Sequence, residues 1–63
     1  MCVHFKKEGV KCVIIIEDLT MGRSYSFVAT REGYFQAYAK IQEIVGMGHR
    51  IGGDVSKVYS YIG

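Results

Sequence analysis

Cys12-Val13-Ile14-Ile15-Ile16 decides the fold. Its last four residues are all β-branched and apolar. Alternate residues of a strand point to opposite faces, so the run reads as a central strand with apolar side chains on both sides. The whole strand is expected over residues 10–19.

Upstream, residues 3–7 read as a second strand, joined to the first at Glu8-Gly9, an acidic-glycine pair suited to a tight hairpin with positive φ. Downstream, a turn near Met21-Gly22 leads to a third strand over residues 24–30, where Tyr25, Phe27 and Ala29 alternate against serines. The period then changes. Tyr34, Ala37, Tyr38, Ile41, Ile44 and Val45 follow the three-and-four spacing of an amphipathic helix, with Gln36, Lys40 and Glu43 opposite. Thr30 is the expected N-cap, Glu32 suits the positive first turn, and Gly46 or Gly48 can end the helix. After Gly52-Gly53, residues 55–62 are rich in Val, Tyr and Ile and read as a last strand. The expectation is one α+β domain over residues 1–63. It has a small antiparallel β-sheet of three to four strands, one amphipathic helix on one face, and the order β-β-β-α-β.

Hairpin arithmetic assigns the faces. A two-residue turn at Met21-Gly22 sets Ile16 opposite Phe27 and Ile14 opposite Ala29. One at Glu8-Gly9 sets Phe5 against Cys12 and Val3 against Ile14. Val3, Phe5, Cys12, Ile14, Ile16, Tyr25, Phe27 and Ala29 then share the face that meets the helix. A three-residue first loop, which would set His4 against Cys12, is disfavoured because it exposes Val3 and Phe5. Val13, Ile15 and Val28 are left on the reverse face, joined there by either Val58 and Ile62 or Tyr59 and Tyr61 of the last strand.

Sixty-three residues, 49% hydrophobic and 22% charged, suit a small globular domain. Folded, such a chain has a surface of about 4,100 Å². The formal charge of +2 is dispersed along the chain, with no block that would hold a polyanion. Residues 1–7 carry charges and the apolar run 13–16 is too short to span a bilayer, so no signal peptide or membrane segment is expected. Two cysteines, Cys2 and Cys12, make no disulfide framework, and a reducing cytoplasmic location is the expectation. From Met1 to a final strand without tails, the chain reads as a complete gene product.

The candidate chemistries are weak. Cys2, His4, Cys12 and His49 are the only soft metal ligands, but they lack knuckle spacing and Cys12 falls on the wrong face, so no metal or other cofactor is expected. The glycines of residues 46–53 follow the helix instead of preceding one, which is the wrong order for a phosphate cradle. Glu17 and Asp18 are adjacent and face apart, and nothing sets a cysteine beside His49 as nucleophile and base. No catalytic residue is assigned. Five tyrosines and eight basic residues could serve an open-sheet nucleic-acid binder, yet the aromatics of the third strand face the helix.

What remains is a non-enzymatic binding protein. Its expected partner contacts are Val13, Ile15 and Val28 on the open face, Lys57, Tyr59 and Tyr61 on the last strand, and His49 and Arg50 in the glycine-rich loop. A protein partner or a second copy is favoured over nucleic acid, and no membrane contact is expected. Small domains without chemistry are often inhibitors or modulators of host protein complexes carried by phages and mobile elements, such as anti-CRISPR proteins and polymerase inhibitors. That size-level analogy sets the functional expectation.

Overall fold

The computed structural model describes every residue except His49. Three strands, β1 (Cys2–Glu8), β2 (Lys11–Asp18) and β3 (Arg23–Val28), precede a long helix α1 (Arg31–Gly46); a two-residue strand β4 (Gly52–Gly53) and a short helix α2 (Val55–Ile62) follow. The sheet order is β3-β2-β1-β4. The first three strands are antiparallel neighbours, and β4 runs parallel to β1. The α+β class and the order of three strands, a helix and a strand therefore hold. Total surface is 4264 Å², close to the value expected for a chain of this mass.

Both hairpins differ from the expected registers by two residues. In the first, Glu8 pairs with Lys11, so the loop is Gly9-Val10 and Val3 faces Ile16 while Phe5 faces Ile14. Gly9 has φ 62° and Val10 is not left-handed, which is the pattern of a turn that demands glycine at its first central position only. In the second, β2 ends at Asp18, whose Oδ1 accepts from Thr20 N at 3.1 Å and Met21 N at 3.3 Å. This side-chain turn makes a four-residue loop over 19–22 and sets Ile16 opposite Tyr25 and Ile14 opposite Phe27. An even slip leaves every side chain on its face. The face assignment is therefore unchanged.

The core forms where the sheet meets both helices. Val3, Ile14 and Ile16 are buried against Ala37, Ile41 and Ile44 of α1 and Val58 of α2. Thr30 caps α1 as expected, its Oγ1 accepting from Gly33 N at 3.2 Å. The helix ends at Gly46, and Gly48, at φ 88°, is the left-handed residue beyond it. Gly33 is needed for space. A Cβ there would lie 1.6 Å from the Val28 carbonyl oxygen, so α1 starts in direct contact with the end of β3.

The last segment is the main correction. Val55–Ile62 is a helix, not a strand, and the described residues form two helices instead of one. The place beside β1 is taken by Gly52 and Gly53, which pair with Cys2 and Val3. Gly53 turns the chain at φ 77°, so close that a Cβ would come within 2.3 Å of Val3 O. Asp54 N then donates to Val3 O at 2.6 Å, and the ladder stops. Beyond it Val55, Val58 and Ile62 recur at three and four residues, with Val58 buried and the other two packed on the core. Burial of that stripe overrides the β-propensity of Val, Tyr and Ile.

Two substitutions check this arrangement by chemical denaturation. Gly33→Ala should cost about 2–3 kcal/mol, because backbone must move to admit the methyl group. Val58→Ala should cost about 2 kcal/mol through lost burial and the cavity it leaves.

Candidate interaction surfaces

Both helices pack on one face of the sheet, and the other carries none. Pair positions arrange that open face in rows: Cys2, Glu17 and Ser24; His4, Ile15 and Ser26; Lys6, Val13 and Val28. Its centre is a narrow apolar strip. Val13 is nearly covered by its neighbours, Ile15 is half-buried and Val28 is 44% exposed. The strip itself lines a shallow depression of about 300 Å³, together with Glu8, Lys11 and Ser26. Polar and charged residues rim the strip in pairs, His4 Nε2 with Glu17 Oε1 at 3.4 Å and Lys6 Nζ with Glu8 Oε1 at 3.9 Å. Exposed pairs of this kind add little stability.

The residues expected on the last strand lie elsewhere. Tyr59 and Tyr61 sit on α2, on the helical side of the sheet, and each is engaged with α1. Tyr61 stacks on Tyr34 with ring centroids 3.9 Å apart and planes 13° from parallel. Tyr59 meets Tyr38 edge-on at 5.7 Å, and its hydroxyl accepts from Gln42 Nε2 at 3.3 Å. Lys57 reaches back over the Phe5 ring, 5.4 Å from its centroid. These side chains hold α2 in place, although Tyr59 and Tyr61 stay partly exposed. Neither Val58 nor Ile62 reaches the open face. Arg50 is exposed in the connector before β4, and His49 lies outside the described residues. The seven described residues among the expected contacts thus lie on separate parts of the molecule: Val13, Ile15 and Val28 on the open face, Lys57, Tyr59 and Tyr61 on α2, and Arg50 in the connector.

Other exposed apolar residues were not among those expected. Val10 stands almost fully free at one hairpin tip, Leu19 and Met21 at the other, and Phe35 projects from α1. An apolar residue at a turn position was the available signal for Val10, Leu19 and Met21; Phe35 lies off the helical stripe. Of the soft ligands, Cys2 and His4 belong to the open face, whereas Cys12 alternates with Lys11 and Val13 onto the helical side and is exposed there. Among the described residues no helix is long and apolar enough to cross a membrane.

Among the described residues the Tyr34 phenol is the group whose protonation is clearly perturbed. Burial raises its pKa above the ordinary tyrosine value, helped by the nearby Cys12 and Tyr61 groups. Comparisons with protein families, curated proteins and solved structures found no match to this chain.

A raised phenol pKa means that folding favours neutral Tyr34. Its contribution to stability is complete below the unfolded tyrosine pKa and is lost as pH rises through the folded value. Ring-carbon NMR shifts should show Tyr34 titrating above its unfolded value, and Tyr61→Ala should bring it back toward that value while loosening α2.

Proposed function

We propose that this chain is a non-enzymatic protein-binding module whose contact surface is the open face of its sheet. The observation that carries the reading is the apolar strip of Val13, Ile15 and Val28, which neither helix covers. An apolar centre within a polar and charged rim is the usual anatomy of a protein-contact patch. His4, Lys6, Glu8, Lys11 and Glu17 supply that rim with both signs of charge.

Nucleic-acid binding has less support from the same geometry. The aromatic groups that could stack bases are engaged within the molecule, Tyr34 with Tyr61 and Tyr38 with Tyr59. Two lysines lie over aromatic rings of their own chain, Lys40 over Tyr25 and Lys57 over Phe5. The finer reading is an inhibitor or modulator of a host protein complex, acting in the cytoplasm by occupying one of its surfaces. It rests on the analogy of size and on the absence of an assigned chemistry in the sequence.

Ile15→Lys tests the contact surface, because it places a charge at the centre of the strip without entering the core. Tagged wild type should retain a specific protein complex from host lysate, and the variant, folded by circular dichroism, should lose it. Retention by both proteins, or nothing above background with wild type, contradicts the proposal.

A further inference from the structure

Of the two edges of the sheet, β3 is the one whose residues suit a second copy of the same strand. β3 lies outermost in the order β3-β2-β1-β4, whereas the opposite edge is β4 beside Cys2 and Val3 and then the outer side of β1, which carries Lys6 and Lys7. Natural edge strands are usually protected by lysine, proline, a bulge or a cover. β3 has neither proline nor lysine, and its register with β2 is unbroken from Arg23 to Val28. Its middle is uncharged.

The backbone shows what the edge offers. Ala29 N donates to Cys12 O at 2.8 Å, so Ala29 faces inward toward β2. By the alternation of an antiparallel ladder, Tyr25 and Phe27 also bond inward, and the polar groups of Ser24, Ser26 and Val28 point to the free edge. Of these, the Val28 carbonyl already accepts from Thr30 N at 2.7 Å. The N–H and C=O of Ser24 and Ser26 and the N–H of Val28 are turned outward.

We propose that two copies join antiparallel along β3, about a two-fold axis at Ser26, so that their sheets become one. Two observations favour a second copy over another strand. In Ser24-Tyr25-Ser26-Phe27-Val28 the two aromatics flank Ser26 symmetrically, so the strand alternates uncharged non-aromatic and aromatic residues in either direction. A two-fold at Ser26 therefore sets Tyr25 against Phe27 of the second copy, in the closely spaced type of pair. It also lets the two Ser26 residues exchange both backbone hydrogen bonds, while the pairing stops short of Val28, whose outward carbonyl is held by Thr30 N and lies against Gly33. Finally, the flank of α1 above β3 carries charges of both signs. Lys40 Nζ lies 4.8 Å from the Tyr25 ring centroid and 3.2 Å from Glu43 Oε2. The two-fold sets this flank, where Lys40 is already paired with Glu43, against a second copy of itself instead of against a block of one sign.

This contact uses the strand edge and leaves the open face free. Sedimentation velocity over a micromolar concentration series should give a species of twice the 7.1 kDa chain mass. Proline is tolerated on an edge strand where the N–H faces outward. Ser26→Pro should keep the circular dichroism spectrum and raise the dimer dissociation constant roughly tenfold or more, since both central bonds are lost. Ser26→Lys, an exposed change that puts two like charges at the axis, should do the same and decides the matter if the proline variant does not fold. Ile15→Lys should remain dimeric, which separates this contact from binding through the open face. A strict monomer in the wild type overturns the proposal. So does a dimer that survives both folded Ser26 variants, or one that Ile15→Lys disrupts.

Discussion

Ile14 and Ile16 have no accessible surface, and the rest of the molecule is arranged around keeping them so. They lie on the central strand, with Val3 beside them on β1, and water can be excluded only by elements laid across that face. A single helix supplies Ala37, Ile41 and Ile44 but leaves the β1 side of the sheet short of cover. Helix α2 completes it with Val58. The demand for cover explains why a Val-, Tyr- and Ile-rich segment is helical: as a strand it would extend the sheet and add more face to bury, whereas as a helix it buries some.

Close backbone approaches make this packing possible at two glycines. Gly33 lets α1 begin against the Val28 carbonyl, and Gly53 lets the chain touch β1 at Val3 and turn away after two residues. Both lie at junctions between the sheet and a helix. Aromatic contacts then fix α2 laterally, Tyr61 on Tyr34 and Tyr59 on Tyr38. The tyrosines expected to meet a partner also hold α2 against α1. By using up the helical elements on one side, the packing leaves Val13, Ile15 and Val28 to the other.

The sequence made the first two thirds of this legible because period is a robust signal. Alternation gave β1 to β3 their faces, and the spacing of Ala37, Ile41 and Ile44 gave α1 its buried stripe. Loop lengths were less accessible. Nothing in residues 8–10 distinguishes a turn at Glu8-Gly9 from one at Gly9-Val10 until the strands are paired, and the second loop is set by Asp18 bonding to Thr20 and Met21. The even size of both slips spared the face assignment. For residues 55–62 the helical period of Val55, Val58 and Ile62 was present, but so was the alternation of Tyr59 and Tyr61. Only the position of β4 beside β1 decides between them. Of the candidate contacts, the open-face residues could be read from strand parity, whereas Lys57, Tyr59 and Tyr61 depended on that last element.

The account stands on a core with a single covered face. A soluble paramagnetic probe added to methyl-labelled protein measures this directly, because relaxation depends on how near the probe can come. It should broaden the methyl signals of Ile15 and Val28 while sparing those of Ile14, Ile16, Ile41 and Val58. Equal protection of Ile15, Val28 and the core isoleucines would contradict it.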